Sequence, residues 1–151
     1  MNFTSKKINA FLLFKLPAAY FTGIRVKSIT TKDSVVVVRH RWINQNPFKS
    51  IFWAVQGMAS ELTTGILVMK AIKDSGKNIS MLVTNMNAVF TKKATGEVYF
   101  KCIEGELIKN TIRKAIETGE GQTVIVKSEG VNEKGDLVSS FEYEWSLKLK
   151  L

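Results

Sequence analysis

Asn46-Pro47-Phe48-Lys49-Ser50-Ile51-Phe52-Trp53-Ala54-Val55-Gln56-Gly57-Met58-Ala59-Ser60-Glu61-Leu62-Thr63-Thr64-Gly65-Ile66-Leu67-Val68-Met69-Lys70-Ala71-Ile72-Lys73 is the stretch on which the fold turns. Twenty residues separate Lys49 from Lys70, and Glu61 is the only charged one among them. Pro47 and Ser50 are start signals for a helix. Projected at helical spacing, Ile51, Val55, Met58, Leu62, Ile66 and Met69 form one narrow stripe. The opposite side still carries Trp53 and Leu67 beside Gln56, Ser60 and Thr63. A long helix that is apolar nearly all round is a buried one. Small residues at 54, 57, 59 and 65 let other backbone approach it closely.

Working outward, residues 8–16 read as a short helix that Pro17 ends. Residues 21–30 and 35–42 read as strands separated by the turn Thr31-Lys32-Asp33-Ser34. The four consecutive valines of the second are typical of a strand covered on both faces. Beyond the long helix, residues 79–91, 97–103, 122–130 and 137–149 read as strands, with turn signals between them. Residues 106–118 form a short amphipathic helix that Gly119 ends. In the last strand Phe141, Tyr143, Trp145, Leu147 and Leu149 share one face, and Glu142, Glu144, Lys148 and Lys150 take the other. A single α+β domain over residues 1–151, its curved antiparallel sheet wrapped around the long central helix, buries that helix on most sides.

The chain of 151 residues carries a net charge of +9, which suggests an anionic partner. Its one cysteine, Cys102, lies in a strand-like run and reads as a buried, inert thiol; an intrachain disulfide is excluded. With His40 the sole histidine, neither a histidine-based triad nor a multi-histidine metal site can be assembled, and no metal is expected. The run 50–69 contains Gln56, Ser60, Glu61, Thr63 and Thr64, too polar for a membrane span. No targeting segment is convincing, and the expectation is a soluble, cytoplasmic protein. No nucleic-acid motif is present, and the aromatics follow core patterns rather than an exposed basic platform.

Glu61 carries the chemical signal. Desolvating a carboxylate costs several kcal/mol unless it is hydrogen-bonded or protonated, so an acid in this run has either a partner or a task. Gln56, Ser60 and Thr64 are candidates for a polar patch near it, or for bonds to sheet backbone. The bland alternative makes Glu61 a structural acid held by Asn46, a threonine or sheet backbone.

The residues resemble the hotdog-fold superfamily of acyl-CoA thioesterases and dehydratases, in its branch of small thioesterase-like proteins. Tyr20-Phe21-Thr22-Gly23-Ile24-Arg25-Val26 looks like the first strand of that group. Asn46-Pro47-Phe48-Lys49-Ser50-Ile51-Phe52 looks like its asparagine-led loop, and Ala59-Ser60-Glu61-Leu62-Thr63-Thr64-Gly65 like its acidic mid-helix segment. The resemblance implies a homodimer, or a homotetramer built as a dimer of dimers, with the thioester bound between protomers. It implies Glu61 as catalytic acid-base or nucleophile and Asn46 as its positioning companion in the catalytic pair. The backbone at Ser50, Ile51 and Phe52 would polarise the thioester carbonyl, and Gln56, Asn85 and Asn87 would reach substrate. No cofactor is implied beyond the coenzyme A of an acyl-CoA, or the carrier of an acyl-carrier substrate. Many thioesterases of the superfamily carry His-Gly-Gly where this chain has Lys49-Ser50-Ile51 or thereabouts. That departure keeps a second expectation open, a non-catalytic acyl-CoA-binding or assembly module of the same fold.

Overall fold

In the computed structural model, which describes residues 2–151, the chain runs α1 (Ser5–Lys15), α2 (Pro17–Phe21), β1 (Arg25–Ile29), β2 (Ser34–Arg39), α3 (Trp53–Ser75), β3 (Ile79–Phe90), β4 (Glu97–Cys102), α4 (Gly105–Thr118), β5 (Gln122–Asn132) and β6 (Leu137–Leu149). The strands form one six-stranded sheet in the order β1-β2-β4-β5-β6-β3, antiparallel throughout. Helix α3 packs against β1, β2, β4, β5 and β6, so the sheet curves around it as the α+β hotdog architecture requires. Ala59, Leu62, Ile66, Leu67 and Val68 of α3 meet Val36, Val38, Phe100, Val126, Phe141 and Leu147 in the core.

Hydrophobic burial presses α3 onto the sheet, but it does not choose a register, because apolar contact is non-directional. Polar side chains do that. At helical spacing along α3, Gln56 Oε1 accepts from Ser139 Oγ (2.8 Å), Ser60 Oγ meets Tyr143 Oη (2.6 Å), and Thr64 Oγ1 accepts from Trp145 Nε1 (3.0 Å). These three rungs join the helix to alternating, inward-facing positions of β6. The expectation that such residues would bond sheet backbone is corrected here: their cross-element partners are β6 side chains.

Two element boundaries and one burial pattern also differ from the expected ones. Residues 20 and 21 lie in α2, so β1 begins at Arg25. Pro17 at the first helical position starts that helix, Thr22 Oγ1 donates to Ala18 O (2.7 Å), and Gly23 at φ 90° turns the chain into the strand. Strand β2 stops at Arg39, because Trp42–Asn44 forms a 3-10 turn around buried Asn44. Asn44 Nδ2 donates to Thr22 O (2.9 Å) and Arg39 O (2.8 Å), and its Oδ1 accepts from Arg41 N (2.9 Å). In β2, Val36 and Val38 are buried while Val35 and Val37 are half-exposed, so one face rather than both is covered.

Gly105 fixes the start of α4. A Cβ there would overlap the backbone of Thr31 and Lys32, and its N–H donates to Lys32 O (2.9 Å). The helix is thereby seated on the β1–β2 turn.

Thr64→Val keeps shape but strands the buried indole N–H of Trp145. It should cost about 1–3 kcal/mol in urea denaturation. Thr63→Val deletes a bond only to its own helix, Thr63 Oγ1 to Ala59 O (2.7 Å). It should cost under about 1 kcal/mol.

Candidate functional site

The asparagine-led loop closes on itself. Asn46 Oδ1 accepts from Phe48 N (2.9 Å) and Ser50 N (3.2 Å), and its Nδ2 donates to Ser50 Oγ (3.0 Å). Lys49 sits in the left-handed region at φ 59°, a conformation uncommon for a residue with a side chain. Asn46 therefore acts as the brace of a strained loop, and its bonding is spent within that loop.

The amides at Ser50, Ile51 and Phe52 are already donated. Ser50 N goes to Asn46 Oδ1, Ile51 N to Ala94 O (2.8 Å) and Phe52 N to Asn44 O (2.8 Å). Polarising a carbonyl with these three groups, as expected above, would require breaking those bonds. The next donors are different. Val55 N and Gln56 N both reach Phe52 O, at 3.0 and 3.3 Å, which leaves Trp53 and Ala54 as the first amides of α3 with no acceptor among the described residues. Phe52 is the reason. It occupies the N-cap position, where Ser, Thr, Asp or Asn would fold back onto those amides, and its side chain cannot. An uncapped helix start carries partial positive charge and suits a developing negative one.

Beside it opens a cavity of about 600 Å³. Asn46, Ser50, Ile51, Phe52 and Gln56 all line it, together with Trp53, Phe90 at the end of β3, and Lys93. Gln56 faces it with its amide engaged, Nε2 on Ile51 O (3.4 Å) and Oε1 on Ser139. Trp53 and Phe90 were not singled out from the sequence as site residues. The missing polar residue before Trp53 was the legible signal for the free amides.

Glu61 lies elsewhere. It lines a separate apolar cavity of about 70 Å³ with Phe11, Leu16, Met69 and Met81. Its carboxylate makes no hydrogen bond or ion pair among the described residues, and burial alone pushes its pKa above the ordinary carboxylate value. Its carboxylate does not bond Asn46, a threonine or sheet backbone, and Thr64 Oγ1 donates only to the Glu61 backbone carbonyl (2.9 Å). Gly65, one turn on, leaves space for it: a Cβ there would stand 3.4 Å from both Glu61 Oε1 and the Trp145 ring. The neighbouring Tyr143 hydroxyl is pushed up to about 12, chiefly by burial.

Asn85 and Asn87 line neither cavity. They stand exposed on β3, opposite Glu144 and Glu142 of β6. The structure thus gathers five of the eight predicted residues around one cavity and leaves Glu61, Asn85 and Asn87 outside it. His40 lies just beyond β2 with its Nε2 buried and unpartnered, and lines neither cavity.

The raised pKa of Glu61 carries a sign. Folding favours its protonated form, so its contribution is most favourable below the unfolded value of 4.5 and is lost as pH rises through the higher folded value. Glu61→Gln removes that penalty. Its denaturation midpoint should exceed the parent's at pH 7, and the advantage should vanish below pH 4.5 when both are melted across the pH range.

Solved structures share this fold over nearly the whole chain. A Pseudomonas aeruginosa protein described as a probable thioesterase superposes with a TM-score of 0.82 at 18% identity, covering 96% of each chain. A Chlorobaculum tepidum protein of unknown function gives 0.83 at 15% identity, covering 97% of this chain and 94% of that one. A thioesterase from Haemophilus influenzae gives 0.73 at 12% identity, covering 99% and 93%. Among curated proteins no sequence matches this chain. A family model, described as a domain of unknown function (DUF4442), matches residues 4–147. On that match the chain belongs to the DUF4442 family, and its hotdog fold is the one it shares with these solved structures.

Proposed function

We propose that the protein is a thioesterase-like hydrolase, cleaving an acyl-CoA or acyl-carrier thioester at a site completed by a second copy of the chain. The carrying observation is Glu61: a desolvated carboxylate with no partner among the described residues, on the central helix of a fold shared with thioesterases. A general base works best with a pKa near the operating pH, and burial moves Glu61 in that direction.

Within one chain the two halves of such a site are apart. Glu61 opens beside Met81, near the start of β3, whereas the free amides of Trp53 and Ala54 open beside Phe90, at its end. Strand β3 is one of the two sheet edges, with Leu82, Met86, Val89 and Phe90 exposed along it. An exposed apolar edge is a template for pairing. Antiparallel pairing of two β3 strands about their midpoint would bring the Met81 end of one copy beside the Phe90 end of the other. Glu61 of one protomer would then face the helix N-terminus of its partner. In this arrangement Trp53 and Ala54 N–H stabilise the oxyanion, Glu61 activates water or attacks the carbonyl itself, and Lys93 meets coenzyme A phosphate. Asn85 and Asn87, on the same strand, would lie within the pairing surface.

A non-catalytic acyl-binding module is the second reading. It is favoured by Lys49-Ser50-Ile51 standing where the resemblance would put His-Gly-Gly, with Ser50 and Ile51 lining the cavity.

Free-thiol release from short-, medium- and long-chain acyl-CoAs tests the proposal. Turnover by the parent should collapse in Glu61→Gln. Trp53→Pro removes one free amide at a position proline tolerates, preceded by Phe52 at ψ 136°. It should lower kcat by about 10²–10³ relative to Trp53→Ala, which keeps the amide. Absence of turnover on every chain length would favour the binding module, and turnover indifferent to Glu61→Gln would remove that residue from the mechanism.

A further inference from the structure

The net charge of +9 is not spread along the chain. Residues 2–60 hold nine lysines and arginines against one acid, Asp33; the remaining residues hold thirteen cations against twelve acids. The excess sits in the segment that carries the largest exposed hydrophobic side chains. Trp42 is 83% exposed, Phe48 71%, Phe21 61% and Ile43 52%. These residues belong to one end of the molecule. Phe21 precedes Thr22, whose carbonyl is held by Asn44 at 2.9 Å, next to Trp42 and Ile43; Gln45 bridges to Ile51 across the loop that carries Phe48. Two of them adjoin an exposed cation in sequence: Arg41 beside Trp42 and Lys49 beside Phe48. Neither cation has an acidic partner among the described residues.

Exposed aromatic and aliphatic tips interleaved with unpaired cations match the chemistry of an anionic bilayer surface. The tips enter the headgroup region, where Trp is favoured, and the cations meet lipid phosphate. We propose that this end of the molecule docks on anionic membranes. A second copy fits it poorly, since twofold packing would set like charge against like. Nucleic acid fits less well too: Ile43 offers no stacking surface, and the aromatics project from separate tips instead of forming a platform. Docking places the 600 Å³ cavity, which Phe48 also lines, at the lipid surface, where single-chain amphiphiles collect. The inference does not depend on catalysis.

Co-sedimentation with vesicles tests it, comparing phosphatidylcholine alone with equal parts phosphatidylcholine and phosphatidylglycerol, at low and physiological salt. Binding should require phosphatidylglycerol and weaken as salt rises. Arg41→Gln with Lys49→Gln should lower affinity about 25-fold. Trp42→Ser with Phe48→Ser should lower it at least about tenfold, with melting curves unchanged because both side chains are exposed. Four results would overturn the proposal: no binding to the anionic vesicles, equal binding to neutral ones, binding indifferent to both double variants, or displacement by a stoichiometric oligonucleotide. Loss of self-association in Trp42→Ser/Phe48→Ser during sedimentation velocity would instead assign the face to contact between copies, and would overturn it equally.

Discussion

The structure depends on how α3 is held against β6. Burial of Leu62, Ile66 and Val68 supplies most of the adhesion, yet those contacts would tolerate a shift of the helix along the sheet. Bonds from Ser139, Tyr143 and Trp145 would not. Each joins a polar atom of the helix to one of β6, and Tyr143 Oη also donates to Gly57 O (3.0 Å), so a slip breaks several of these bonds at once. An unmade buried bond costs more than a made one contributes, and that asymmetry gives the three rungs their authority over register.

Register then decides what happens at both ends of the helix. At the N-terminus, Gln56 is tied to Ser139 and to Ile51 O, while Phe52 N is tied to Asn44 O. Asn44 in turn holds the end of α2 and the end of β2. The uncapped first turn is thereby held from two sides without using its own free amides. Further along, the same seating brings Glu61 against Trp145 and Gly65, in an apolar niche where no cation among the described residues pairs with it. A helix free to rotate would turn that carboxylate towards water. The rungs prevent it, so part of the stability they provide is consumed in holding an unfavourable charge in place, a pattern associated with functional sites.

Much of this was legible. Alternation in β6 announced its buried face, and the uncharged run around Glu61 announced a central buried helix, because both signals rest on local periodicity. The misreadings share a different origin. Tyr20 and Phe21 have strand-like side chains, but Pro17 and Thr22 impose a helical turn whose capping bonds involve the backbone of Ala18 and Ala19. The valines of β2 suggested two covered faces, although α3 can cover only one of them. At Ser50–Phe52 the residue types were right for the loop, yet which amides remain free depends on Asn44 and Ala94, far apart in sequence. Side-chain identity predicts the elements; long-range hydrogen-bond partners choose the donors.

Glu61 illustrates the same division. Its unusual surroundings could be read from its neighbours in the chain, and so could its spacing from Trp53 and Ala54 on the same helix, but not the fact that acid and amides open onto different cavities. The strand runs the length of the site, from Met81 beside the acid to Phe90 beside the amides. On the proposed reading, a monomer with this geometry would carry the parts of an acyl-transfer site at opposite ends of one exposed edge. Antiparallel pairing of that edge exchanges its two ends. The residues that make β3 a poor surface for a solitary chain, Leu82, Met86 and Val89, are therefore the ones whose burial would assemble acid and amides into a single site. In that view oligomerisation is a condition of the chemistry and not an accessory to it.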